Sequence, residues 1–109
     1  MGQAWLFLFL AGLCEIGWPI GLKISQTTNK VALGIIIAIV SMAISGYFLW
    51  MAQKQIPIGT AYAVWTGIGA AGTFVVGVLV FGDASSVLRW LGVALIIGGV
   101  VTLKLAGNH

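Results

Sequence analysis

One acidic residue, Glu15, lies inside a long apolar stretch of the sequence and is the side chain most suited to chemistry. A carboxylate at bilayer depth costs at least about 2.5–3.5 kcal/mol, so its presence there indicates a function. The lysines and the arginine lie at the ends of the apolar stretches, which leaves Glu15 without a cationic partner in the sequence. Such a carboxylate can bind a proton or a substrate cation, but not both at once. The alternative is a protonated glutamic acid that holds helices together by hydrogen bonds.

Polar and aromatic side chains recur near Glu15 and in the later apolar stretches. Trp18 follows Glu15 at i+3 and therefore projects from the same side of a helix. Indole, hydroxyl and phenol groups can hydrogen-bond a carboxylate, and aromatic faces attract cations. Trp18 and Trp65 lie deep in their stretches beside polar residues, which favours a functional role over core packing. The other polar or half-polar candidates are Ser41, Ser45, Tyr47, Tyr62 and Thr66.

The composition places these residues in a membrane protein. The chain has 109 residues, of which 61% are hydrophobic and only 6% are charged, and its mean hydropathy is +1.13. A soluble domain carries roughly 25% charged residues, so an ordinary soluble enzyme is excluded. The basic residues are scattered singly, which does not indicate nucleic-acid binding. We also expect no cofactor and no metal site, since the chain has one cysteine and its one histidine is His109.

Four apolar stretches are long enough to cross a membrane as helices, at about 4–22, 31–52, 58–81 and 87–106. The breaks between them contain Pro57, which suits a helix start, and Gly82 followed by serines, which suits a helix stop and a new cap. Strands of a membrane barrel would be shorter and would alternate in polarity. The first stretch lacks the basic start and cleavage site of a signal peptide. The sequence therefore predicts an all-α integral membrane protein with a single transmembrane domain.

Glycine and proline mark positions where these helices bend or approach one another. Gly67 and Gly69 in the third stretch predict either a hinge between two access states or close helix packing. Pro19 removes the hydrogen bond to the Glu15 carbonyl and is expected to kink the first helix there. Gly92 and Gly99 are seven residues apart in the fourth stretch, which places them on one face and predicts a dimer seam.

The distribution of basic residues predicts the assembly. With four spans, Lys54 and Lys104 lie on one side of the membrane, and Lys23, Lys30 and Arg89 lie on the other. Two against three is almost no bias, so the chain is expected to insert in both orientations. A single four-helix chain is also small for enclosing a polar path. We therefore expect an antiparallel homodimer with eight spans.

Two motifs in this pattern resemble the small multidrug resistance family of transporters. The first motif is EIGW at 15–18 followed by GLK at 21–23, and the second is PIGTAYAVWTGIGA at 57–70. Length, four spans and a single carboxylate in the first span also match, and within the family the motifs are similar to the guanidinium-exporter subtype. The resemblance departs from the usual pattern at Pro19 and at Gly46, which both border the expected binding region.

The resemblance implies a function as well as a fold. It implies an antiparallel, dual-topology homodimer in the bacterial inner (plasma) membrane, where guanidinyl cations are exported in exchange for protons. It assigns Glu15 of both subunits as the shared substrate and proton site, and it assigns the surrounding polar stack to Trp18, Ser45, Tyr62 and Trp65. An exporter of quaternary ammonium and other drug cations on the same fold remains an alternative. A membrane scaffold that tolerates Glu15→Gln is a more distant alternative. An enzyme is not expected, because the sequence contains no recognisable nucleophile–base pair.

Overall fold

The computed structural model describes residues 2–106 and consists of four α-helices joined by short loops. α1 covers Gly2–Thr27, α2 covers Val31–Gln53, α3 covers Ile58–Val80 and α4 covers Val87–Ala106. All four helices are long and apolar enough to cross a membrane. The prediction of an all-α, multi-pass membrane protein is therefore confirmed. His109 lies outside the described residues.

α1 extends beyond the stretch expected from the sequence at both ends. Its 26 residues span about 39 Å at 1.5 Å per residue, which exceeds the roughly 30 Å hydrocarbon core of a bilayer. The polar residues at its C-terminal end satisfy their hydroxyls within the helix, by donating to carbonyls one turn earlier. Ser25 Oγ donates to the Leu22 carbonyl at 2.6 Å, and Thr27 Oγ1 donates to the Lys23 carbonyl at 2.8 Å. The helix also continues without interruption through Pro19.

The start and end of α3 and the start of α4 lie where Pro57, Gly82 and the following serines predict them. Pro57 immediately precedes α3, and its carbonyl accepts a hydrogen bond from the Ala61 N–H at 2.9 Å. Gly82 ends α3 with a φ of +71°, a left-handed conformation that glycine adopts without a steric cost. Ser86 then caps α4, because its Oγ accepts a hydrogen bond from the Arg89 N–H at 3.2 Å.

α1 lies between α2 and α3 and packs against both. Glycines allow the close approach: a Cβ built on Gly21 would lie 2.6 Å from the Gly34 carbonyl oxygen of α2. On the other side, a Cβ on Gly12 would lie 2.7 Å from Ile68 Cβ of α3. A small hydrophobic core forms where α1, α2 and α3 meet near one end of the bundle, and its buried members are Ala4, Leu8, Ala52, Ile56, Ala61 and Val64.

α4 packs chiefly against α3 and is exposed over most of its surface. Val93 is its one buried residue. Gly92 and Gly99 are exposed, and a Cβ built on either would meet no atom within 4 Å. The expected dimer seam thus lies on a helix face that has no partner within residues 2–106 of one chain.

Candidate functional site

A cavity of about 410 Å³ lies between α1 and α3 and contains the predicted membrane carboxylate. Five residues singled out from the sequence contribute to its wall, and they are Glu15, Trp18, Pro19, Thr66 and Gly69. Four others complete the lining, and they are Ala70, Thr73, Phe74 and Asp83. The cavity therefore combines two carboxylates, two hydroxyls and two aromatic rings.

Gly69 makes room for the Glu15 side chain. A Cβ at position 69 would contact Glu15 Cγ, so the carboxylate side chain crosses α3 directly over the glycine. One turn farther along α3, Ile16 Cδ1 occupies the space that a Cβ on Gly72 would need. These two contacts fix the depth at which α1 presents Glu15. Gly69 therefore has a packing role in this conformation, whereas its role as a hinge stays a prediction.

One carboxylate oxygen of Glu15 and the indole nitrogen of Trp18 are buried without a hydrogen-bond partner. These atoms are Glu15 Oε1 and Trp18 Nε1, and the Trp18 indole lies near the Glu15 carboxyl group. An unsatisfied buried donor or acceptor costs roughly 1–3 kcal/mol. One acceptor and one donor, on two residues that line the cavity, are therefore without a partner in the single chain.

Ser45 holds a different position from that expected. It is fully buried between the helices, and its Oγ donates to the Ala11 carbonyl of α1 at 2.7 Å. The same Oγ accepts a hydrogen bond from Trp65 Nε1 of α3, also at 2.7 Å. Ser45 thus links three helices, and its hydroxyl proton is directed to Ala11, one turn before Glu15.

Tyr62 and Trp65 form an aromatic pair beside this hydrogen-bond chain. Their ring centroids lie 5.5 Å apart, with an interplanar angle of 55°. Tyr62 is 56% exposed, so its phenol faces outward from the single chain. The structure therefore separates the predicted polar set into two adjacent groups. Glu15 and Trp18 line the cavity, while Ser45, Tyr62 and Trp65 lie along the junction of α2 and α3.

The remaining predicted residues lie around these groups. Pro19 lines the cavity one turn beyond Glu15. A Cβ on Gly67 would lie 2.7 Å from Val100 Cγ2 of α4, so this glycine serves the contact between α3 and α4. Gly46, noted as a departure from the family pattern, is exposed with open space around it.

Two parts of this arrangement were not predicted from the sequence. The Ala11 carbonyl is a backbone group, and no side-chain pattern indicates that Ser45 would bond it. Asp83 is the second part, and it is the one acidic residue in the sequence besides Glu15. That count was the signal that could have directed attention to it.

The fold and the cavity define a class of protein. Four apolar helices with a carboxylate in an intramembrane cavity are typical of a transporter of cations or protons. Among residues 2–106, no three His, Cys, Asp or Glu side chains come together as a metal site.

Comparison with known proteins identifies the family. The model of the family described as Small Multidrug Resistance protein matches residues 3–96. A guanidinium exporter of Yersinia pseudotuberculosis serotype I (strain IP32953) is 48% identical over 104 residues, which cover 95% of this chain and 99% of the relative. A guanidinium exporter of Proteus vulgaris is 46% identical over 104 residues, with the same coverage. A guanidinium exporter of Salmonella typhimurium (strain LT2) is 42% identical over 106 residues, covering 97% of this chain and all of the relative. The chain belongs to the small multidrug resistance family.

Proposed function

We propose that this protein is a proton-coupled antiporter that exports guanidinium and singly substituted guanidinyl cations. The observation that carries the proposal is the Glu15 carboxylate in the cavity between α1 and α3, of which the Oε1 oxygen is buried without a hydrogen-bond partner. The substrate class is supported by relatives of 42–48% identity that are named guanidinium exporters and match nearly the whole chain.

The chemistry of the cation suits this carboxylate. Guanidinium is planar and can donate two parallel hydrogen bonds to one carboxylate. It has further N–H donors for neighbouring acceptors, such as the hydroxyls of Thr66 and Thr73 that line the same cavity. The Trp18 indole N–H has no partner in the single chain, and its role in the proposal is to orient the carboxylate when a cation is bound. Trp65, held by Ser45, and Tyr62 form an aromatic pair beside the cavity and not in its wall. A quaternary ammonium ion has no N–H donor and would leave these acceptors unsatisfied.

Coupling follows from the competition of two ligands for one carboxylate. Each Glu15 holds either a proton or part of the guanidinyl cation, so release of one accompanies binding of the other. The assembly that we propose is an antiparallel homodimer in the bacterial inner membrane, in which Glu15 of both subunits faces a common cavity. An exchange of conformations between two inverted subunits then exposes the cavity to the opposite side.

The substrate assignment is tested by electrogenic currents from reconstituted protein on solid-supported membranes. Guanidinium and a singly substituted guanidinium are expected to give saturable currents, and tetrapropylammonium is expected to give little. A strong tetrapropylammonium current without a guanidinium current would move the protein to the quaternary-ammonium exporters. Equal currents for all three cations would also contradict the proposed selectivity.

A further inference from the structure

Both carboxylates of the chain line the same cavity. The sequence contains two acidic residues in total, and Glu15 and Asp83 both contribute to the space of about 410 Å³ between α1 and α3. They come from different environments, because Glu15 lies within α1 whereas Asp83 is exposed in the break after α3. Although the chain has few charged residues, both of its acidic residues line the same cavity.

Backbone contacts at the end of α3 fix Asp83 in this position. The turn at Gly82 brings the chain back toward α3, and the Asp83 N–H donates to the Gly77 carbonyl at 3.0 Å. Asp83 Oδ2 packs directly over Gly77, in the space that a Cβ at position 77 would occupy. Gly77 therefore accommodates Asp83 in the same way that Gly69 accommodates Glu15.

The two glycines give the separation of the carboxylates along the helix. Gly69 and Gly77 are eight residues apart, which corresponds to about 12 Å along α3. Glu15 crosses α3 at the first level, inside the membrane segment, and Asp83 crosses it at the second level, close to the end of the helix. Asp83 thus marks the mouth of the cavity and Glu15 its interior.

A basic residue, Lys23, lines a neighbouring cavity and not this one. Lys23 and Asp83 both line an adjoining cavity of about 140 Å³, which shares Pro19 and Thr73 with the larger one. Lys23 does not line the larger cavity, so the charged residues in the wall of that cavity, Glu15 and Asp83, are both acidic. A surface of one sign in a cleft raises the local concentration of ions of the opposite sign.

We propose that Asp83 is a docking carboxylate, which receives the guanidinyl cation at the cavity mouth before Glu15 binds it. The inference rests on the proposed function and adds a second cation-binding residue to it. The Asp83 carboxylate attracts the cation, orients it through paired hydrogen bonds and releases it inward.

The test compares transport kinetics of the wild-type chain with Asp83→Asn in proteoliposomes, with guanidinium as the substrate. Asparagine keeps the backbone N–H and the side-chain size, so the end of α3 is retained. We expect KM at low ionic strength to rise about threefold to tenfold while kcat changes little. The variant loses the charge that attracts the cation to the cavity mouth, whereas the later steps of transport are unchanged. The difference should shrink at high salt, where exposed charges are screened. A purely structural role would not show this dependence on salt.

Matched variants separate charge from position. Asp83→Glu keeps the charge and is expected to keep KM close to the wild-type value. Ala84→Asn places the same amide on a neighbouring exposed residue that lies outside the cavity and should leave KM unchanged. Gly77→Ala should raise KM as Asp83→Asn does, because the added methyl displaces the Asp83 carboxylate.

Two results would overturn the docking role. One is a wild-type KM in Asp83→Asn, and the other is an equal rise of KM in Ala84→Asn or Asp83→Glu. In both cases a normal guanidinium current in the wild-type chain would leave the proposed function intact. A wild-type chain that carries no guanidinium current would contradict the proposed function and the docking role together.

Discussion

At the scale of single residues, the position of Glu15 depends on the absence of a side chain opposite it. Gly69 is buried, and a Cβ there would contact Glu15 Cγ. Glu15 can yield only by rotating away from α3, because its backbone is held by the neighbouring contact of Ile16 with Gly72. The position of the Glu15 carboxylate therefore depends on the absence of a side chain at residue 69.

The variant Gly69→Ala is expected to impair guanidinium binding because the methyl group displaces the carboxylate from its seat. We expect at least a tenfold loss of affinity, which corresponds to about 1.4 kcal/mol. The change can be followed by titration with guanidinium in isothermal calorimetry. Gly59→Ala is the matched control in the same helix, since a Cβ at Gly59 meets no atom within 4 Å. Equal affinities in the two variants would show that Gly69 does not seat Glu15.

Ser45 provides a second residue-level prediction, which concerns stability. Ser45→Ala leaves Trp65 Nε1 and the Ala11 carbonyl without their partner in a buried place. The expected destabilisation is about 1–3 kcal/mol, measured by unfolding of the protein in detergent micelles. Thr102→Val is the control, because that exposed hydroxyl makes only a local bond to Gly98 of α4. If Ser45→Ala were as stable as the control, the link between the three helices would contribute nothing to folding.

The residue types of the site were predictable from the sequence, but their pairings were not. A carboxylate inside an apolar stretch is informative by its cost alone, and helical spacing places Trp18 beside it. The partner of Ser45 is a backbone carbonyl, which carries no signal in the sequence. Asp83 reaches the cavity only because Gly82 turns the chain and Gly77 leaves space for it, and such a return is set by tertiary structure.

At the scale of helices, the apolar stretches specified the number of elements, whereas the polar end of α1 was not expected. Continuous apolar runs bounded by Pro57 or Gly82 leave little choice, because backbone groups in a bilayer must be bonded within a helix. The segment from Ser25 to Thr27 is polar, and the first expected span therefore ends before it. In the structure α1 reaches Thr27, and the hydroxyls of Ser25 and Thr27 donate to carbonyls of the preceding turn.

α4 carries a prediction about assembly, because most of its surface is exposed in the single chain. If Gly92 and Gly99 form the seam of the proposed dimer, Gly99→Leu should prevent close approach of two α4 helices and release monomers. Crosslinking in membranes or mass photometry in detergent would measure the dimer fraction. Ala94→Leu is the control, since residue 94 lies on another side of the helix from Gly92. Loss of dimer in both variants, or in neither, would contradict a seam at these glycines.

At the scale of the whole molecule, the weak charge bias predicts two orientations in one membrane. A single cysteine at Gln55→Cys, in the exposed loop between α2 and α3, can report the orientation once Cys14 is replaced by alanine. Membrane-impermeant reagents are expected to label about half of the molecules from each side. Labelling from one side alone would contradict dual topology and, with it, the antiparallel dimer.

Transport as proposed depends on Glu15 binding a proton and a guanidinyl cation in alternation. The most direct measurement loads proteoliposomes with guanidinium, dilutes them into guanidinium-free buffer and follows the internal pH with a trapped dye. Because the two ligands compete for one carboxylate, guanidinium leaving the wild-type vesicles should drive protons inward and acidify the lumen. Glu15→Gln keeps the side-chain shape but cannot titrate, and it should abolish both fluxes. Guanidinium efflux without acidification in the wild type, or coupled fluxes that persist in Glu15→Gln, would contradict this alternation.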